Sequence, residues 1–241
     1  MGLRLESALV LAAGFGTRMR HLTAERPKPL VEVAGLTLLD RVLDRIVEAG
    51  LSHAVVNVHY KADLIIEALD TRAHPRISVS DERDALLDTG GGVTRALPQL
   101  GSLPFLIHNS DSIWLEGATA AIPALARMWE SERMDCLMLL ADPRTSIGFD
   151  GTGDFMMAPD GRLMRRPENT DAALVFAGVS IAHPRLFDSA PPGAYSLNVL
   201  WDRAIARGRL FGMRLNGQWM HVGSPEAVKQ AEAALASQQS R

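Results

Sequence analysis

Two glycines stand close before fixed positive charge at Arg18 and Lys28: Leu11-Ala12-Ala13-Gly14-Phe15-Gly16-Thr17-Arg18-Met19, followed by Pro27-Lys28-Pro29-Leu30. Gly14 and Gly16 let backbone N–H groups approach an anion closely. A guanidinium and an ammonium beside them complement phosphate oxygens. The chemistry implied is that of a phosphorylated, nucleotide-like ligand. Two common phosphate loops are excluded, because Met19 stands where G-x-G-x-x-G needs its third glycine and no G-x-x-x-x-G-K-[ST] follows. That argues against a dinucleotide dehydrogenase and a P-loop ATPase.

Three further constellations carry chemistry. Leu87-Asp88-Thr89-Gly90-Gly91-Gly92 leads into Val93-Thr94-Arg95-Ala96-Leu97, and glycines at a helix entrance let the backbone lie flat against a base or a phosphate. A flexible surface turn would use the same run. In Ile107-His108-Asn109-Ser110-Asp111 a carboxylate follows directly on an apolar run; it suits a hard divalent cation, and equally a turn or helix cap. Near the end of the chain, Trp219-Met220-His221-Val222-Gly223 places a histidine at the close of a strand. The histidines at 21, 53, 59, 74, 108 and 183 show no paired ligand spacing. Cys136 is the only cysteine, which excludes a disulfide or a cysteine-based zinc site within one chain. Its apolar neighbours, Leu137 to Ala141, mark it as a core thiol.

These groups need a frame. Ala8 to Ala13 has the length and character of a buried parallel strand running into the glycine loop. Leu39, Val42, Leu43, Ile46 and Val47 recur at helical spacing, with Gly50 as a C-terminal cap. Strands at 55–58, 77–80, 105–107 and 135–141 alternate with helices at 62–69 and 118–131. The rhythm predicts a doubly wound, mainly parallel α/β sheet whose ligand crevice lies at the carboxyl ends of the strands. Beyond residue 142, Phe155 to Met157 and Leu163 to Arg165 flank Asp160-Gly161 as a small antiparallel lid. A strand at 173–181, a helix face from Leu197 to Ile205, a strand end at 218–223 and a helix opened by Pro225 complete the chain. We expect one domain over 1–241: a nucleotide-binding half (1–142), a second-substrate half with closing helices (143–236) and a frayed tail (237–241).

The 241 residues with a formal charge of −3 carry no basic footprint for nucleic acid. No signal segment and no membrane-spanning apolar run is visible, so a cytoplasmic protein without a membrane partner is expected. Monomer and homodimer both stay open.

L-A-A-G-x-G-T-R-M together with P-K-P-L resembles the signature of the sugar-1-phosphate nucleotidyltransferases. The resemblance runs over about residues 5 to 236 and implies their Rossmann-like fold, with a nucleoside triphosphate and a sugar-1-phosphate as partners. It implies that Leu11, Ala12, Ala13, Gly14, Gly16, Thr17, Asp88, Gly90 and Gly91 hold the nucleotide, and that Arg18, Lys28 and Asp111 are catalytic. Asp111 would anchor Mg²⁺. Asp88 to Gly92 resembles the D/E-T-G-G-G segment of the branch using UTP or GTP, and no glutamine between 80 and 98 is available to read dTTP. Among such branches the chain looks most like the compact N-acetylmuramate α-1-phosphate uridylyltransferases, with mannose- and heptose-1-phosphate guanylyltransferases next. Asn109, Asp154 and Gly178 fall where the family faces its sugar. The departure is at His221, where W-x-D-V-G carries a second metal carboxylate. Three readings stay open: His221 as a nitrogen ligand, which would suit Mn²⁺ or Co²⁺; His221 as a phosphate donor with Asp111 holding the metal alone; or lost activity, leaving a non-catalytic nucleotide-sugar sensor.

Overall fold

The computed structural model describes residues 2–168, 170 and 174–239. The chain opens with β1 (Ser7–Leu11), whose apolar residues are buried on both faces, as a central parallel strand requires. A small antiparallel ribbon, β2 (Glu32–Val33) and β3 (Leu36–Thr37), leads into α1 (Leu38–Glu48). Thr37 starts that helix by accepting the Asp40 N–H at 3.0 Å. Gly50 closes it at φ +84°, where a side chain would be strained. Then come β4 (His53–Val58), α2 (Ala62–Asp70), β5 (Arg76–Asp81), α3 (Asp88–Leu100) and β6 (Phe105–Asn109). Next are β7 (Ser112–Glu116), α4 (Ala121–Met128) and β8 (Cys136–Ala141). The lid hairpin is β9 (Phe155–Met157) and β10 (Leu163–Arg165). The chain closes with β11 (Val175–Ala182), α5 (Asn198–Ala206), β12 (Leu210–Arg214), β13 (Gly217–His221) and α6 (Pro225–Gln239).

The main sheet has the order β12-β8-β11-β6-β1-β4-β5. Its pairs are parallel except where β11 runs antiparallel to both β6 and β8. Leu39, Ile46, Ile65 and Leu125, from α1, α2 and α4, pack on one face. Val93, Ala96, Leu200 and Trp201, from α3 and α5, pack on the other. The sheet is therefore doubly wound and mainly parallel. In register, Leu11 faces Asn57 on one side and Asn109 on the other, so the carboxyl ends of three central strands open side by side. No helix among the described residues is long and apolar enough to cross a membrane.

The structure corrects several boundaries. The helix expected over 118–131 occupies only Ala121–Met128, because Trp129 turns to extended backbone at ψ 129°. The strand expected at 173–181 is Val175–Ala182, and Ala173 lies outside the described residues. Gly90, Gly91 and Gly92 lie inside the first turns of α3 rather than in a loop before it. An unanticipated antiparallel ribbon joins β7 to β13 and places Ser112 opposite His221.

Candidate active site

The site grows from the ends of β1 and β6. Beyond β1 the chain turns at Gly16, φ +65°, where a Cβ would stand 2.7 Å from Cβ of Lys28. Glycine is needed there so that the Lys28 stem can pass. Short helical turns at Thr17–Thr23 and Lys28–Leu30 present Arg18 and Lys28, the second fixed between Pro27 and Pro29. Asp111 sits in the turn from β6 to β7. That turn is tied to β1 by Ser110 N–H donating to Leu11 O at 3.1 Å, and to the end of β13 by Val222 N–H donating to Asp111 O at 2.9 Å.

Three distant segments thus meet in one polar cluster. Lys28 Nζ donates to Asp111 Oδ2 at 2.5 Å, with the two side chains 12% and 19% exposed. His221 Nδ1 lies 3.9 Å from the same oxygen, and Arg18 Nη2 stands 3.0 Å from His221 Nε2. Burial would raise the Asp111 carboxyl, but Lys28, His221 and Arg18 hold it below the ordinary carboxylate range. Burial pushes the His221 imidazole below its ordinary value against the pull of Asp111, and Lys28 and Arg18 add to the lowering.

Beside this cluster lies a cleft of about 540 Å³, within the range of small-molecule sites. Leu11, Ala12, Ala13, Gly14, Gly16, Thr17, Arg18, Lys28, Asp88, Asn109 and Asp111 all line it. Sequence reasoning missed Asn57, Thr89, Ser110 and Gly223, which line it too. Asn57 had a signal: an amide in the middle of an apolar strand must find partners. Its Oδ1 accepts the Ala12 N–H at 2.6 Å, and its Nδ2 donates to Glu82 Oε1 at 2.7 Å. Glu82 is fully buried and also accepts the Leu87 N–H at 3.3 Å. Burial raises its carboxyl above the usual value, against those two hydrogen bonds. A polar brace therefore connects the glycine loop to the entry of α3 from behind.

Four expected binding residues do not line this cleft. A Cβ on Gly90 would stand 2.2 Å from the Tyr195 ring, and one on Gly91 would stand 2.5 Å from Gly193 O. The 193–195 segment, not the cleft, covers both glycines. Asp154 accepts the Phe176 N–H at 2.9 Å and so holds the start of β11. Gly178, φ +75°, packs against Ser112 and Asn109. Of the other candidates, His108 is buried against Trp114, where desolvation brings it down to about 4, and Cys136 is a core thiol pushed up to about 12.

A crevice at the ends of parallel strands, holding a cationic glycine loop and a strand-end carboxylate, is what a nucleotidyltransferase needs to hold a triphosphate. The chain belongs to the family of the MobA-like NTP transferase domain, which it matches over residues 8–213. It is 49% identical over 233 residues to N-acetylmuramate alpha-1-phosphate uridylyltransferase of Caulobacter vibrioides, covering 95% of this chain and 96% of that one. A protein of the same name from Neisseria meningitidis serogroup B is 35% identical over 94% of this chain and 96% of its own. The mannose-1-phosphate guanylyltransferase catalytic subunit beta of Xenopus tropicalis is 27% identical, over 91% of this chain and 61% of its own. Among solved structures, apo-UDP-glucose pyrophosphorylase aligns with a TM-score of 0.80 at 14% identity, covering 98% of this chain and all of that one. The inositol-1-phosphate CTP transferase of T. maritima gives 0.77 at 17% identity, covering 97% of each. At those identities the two structures establish the fold.

Proposed function

We propose that this nucleotidyltransferase transfers the uridylyl group of UTP to N-acetylmuramate α-1-phosphate, releasing pyrophosphate. The convergence of Arg18, Lys28 and Asp111 on one side of the cleft carries the reaction type. The end-to-end similarity to the Caulobacter enzyme supports the substrates. An oxygen of the sugar phosphate attacks the α-phosphorus of UTP. The new P–O bond forms as the bond between the α-phosphorus and the bridging oxygen breaks, and pyrophosphate leaves with the electron pair. The attacking oxygen is already anionic, so the site must align two polyanions and neutralise charge rather than supply a strong base.

Lys28, a point charge on a flexible stem, lies where it can pass from Asp111 to the reacting phosphates. Arg18, at the mouth of the glycine loop, offers a fork to the β- and γ-phosphates. The apolar end of β1 and the Asp88-Thr89 corner flank the base. Among the described residues no three His, Cys, Asp or Glu side chains converge on a common ion position. The oxygen of Asp111 nevertheless fits Mg²⁺, which commonly takes one or two carboxylates and completes its octahedron with water and phosphate oxygens. Bound there, the ion would neutralise charge developing between the reacting groups.

The test is pyrophosphate release over a grid of the four ribonucleoside triphosphates and dTTP against N-acetylmuramate, N-acetylglucosamine, mannose and heptose 1-phosphates. UTP with N-acetylmuramate 1-phosphate is expected to be fastest. Preference for GTP with mannose 1-phosphate would move the substrate assignment. No turnover anywhere, with tight binding of a nucleotide sugar, would establish a sensor.

A further inference from the structure

His221 stands between two groups that compete for it. A guanidinium only donates, so the 3.0 Å contact from Arg18 makes Nε2 the acceptor and turns the Nδ1–H edge toward Asp111. The ring is held in that orientation. His221 N–H donates to Ile147 O at 2.8 Å, the Trp219 ring lies 5.7 Å away centre to centre, and the neighbouring Gly223 has no Cβ. A Cβ on Gly223 would stand 2.7 Å from Nε2 and 3.3 Å from Arg18 Nη2. The glycine is thus what leaves room for the contact.

A neutral imidazole has one lone pair. Ligating a metal through Nε2 would expel Arg18, and ligating through Nδ1 would require the other tautomer, with Nε2–H set against the guanidinium, donor against donor. We infer that His221 is a positioning residue: it fixes the exposed Arg18 at the mouth of the cleft to meet the triphosphate, and it is not a metal ligand. The inference rests on the nucleotidyl-transfer reading above. It also assigns His221 a part that differs from donating to phosphate itself, since its ring nitrogen on that side is taken.

The test is calorimetric titration of UTP into the intact chain in EDTA, with wild type, Arg18→Ala, His221→Ala, His221→Gln and the Arg18→Ala/His221→Ala double variant. His221→Ala should bind UTP about five- to tenfold more weakly. The double variant should be no weaker than Arg18→Ala alone. His221→Gln, whose amide oxygen can accept from Arg18, should return to within about twofold of wild type by the same hydrogen-bond reasoning. Mn²⁺ affinity at saturating UTP, read by electron paramagnetic resonance, should be unchanged in His221→Ala. Additive losses in the double variant, His221→Gln as weak as His221→Ala, or Mn²⁺ binding lost with His221 would each overturn the inference. Wild type that binds UTP no better than His221→Ala overturns it alone. Wild type that binds no triphosphate overturns the nucleotidyl-transfer reading and this inference with it.

Discussion

The Tyr195 ring packs directly against Gly90. The ring occupies the space a Cβ would need, Tyr195 O accepts the Gly90 N–H at 2.8 Å, and Tyr195 Oη meets Thr94 Oγ1 at 2.6 Å. One turn earlier, Thr89 Oγ1 accepts the Leu197 N–H at 2.9 Å. The segment before α5 is thereby docked onto the entry of α3, the same corner that presents Asp88 and Thr89 to the cleft. The glycines serve contact between α3 and the segment before α5, and through it the shape of that corner of the cleft.

Gly90→Ala should therefore overpack this junction and destabilise the fold by about 1–3 kcal/mol. Tyr195→Phe, which keeps the ring and loses one hydrogen bond, should cost about 1 kcal/mol. Urea denaturation of both variants checks the order. A Gly90→Ala variant as stable as wild type would show that Tyr195 moves aside freely.

Lys28→Ala should lower turnover about 100-fold or more while leaving the fold intact, since a charge contact to the reacting phosphates is worth a few kcal/mol in the transition state. Arg18→Lys should also be slow, because a planar fork becomes a point charge. Steady-state pyrophosphate release measures both. Near-native rates in both variants would remove the glycine loop from the chemistry.

Asp111→Asn should abolish metal-dependent turnover, because it removes the negative charge that fits the cation and that pairs with Lys28 at rest. Titrating Mg²⁺ against rate is the measurement. A variant that still saturates with Mg²⁺ at the wild-type concentration would place the ion elsewhere.

Acid sensitivity should arise far from the cleft, at Asp135. Burial would raise its carboxyl, but Arg185 Nε at 2.5 Å and Arg209 Nε at 2.8 Å hold it below the ordinary range. A carboxyl depressed in the folded state contributes fully above its unfolded value of about 3.9, and the contribution is lost as pH falls through the lower folded value. Asp135→Asn should destabilise the protein by about 3 kcal/mol at neutral pH. It should also flatten the fall in stability below about pH 4. Denaturation midpoints between pH 7 and pH 3 would reveal an unchanged acid limb if other carboxylates dominate.

The strand-loop frame of the site was legible because burial on both faces leaves an uninterrupted apolar mark, as in β1, and because a carboxylate just after such a run, as at Asp111, gains a functional reading beside the glycine motifs even though a turn would use it too. The glycines at 90 and 91 were harder. A missing side chain announces that something comes close but not what, and here the neighbour is Tyr195, far along the chain. The ribbon of β7 and β13 was hidden because each strand pairs with the other across more than a hundred residues and neither joins the main sheet. The link between Arg18 and His221 depends on that ribbon, so the identity of residue 221 was visible while its partner was not.

The position of β1 has a consequence for how the protein is made. β1 is synthesised before both of its sheet partners and ends up inside the sheet, with β4 on one edge and β6 on the other. Its first edge can be covered early, but the edge that pairs Leu9 with Ile107 must wait for a segment synthesised much later. In that interval a nascent chain displays an apolar strand with open hydrogen-bonding groups, the feature that recruits chaperones or leads to aggregation. Slowing translation before the codon for Phe105 should lengthen this vulnerable window, whereas slowing it well after the codon for Asn109 should leave that edge already covered.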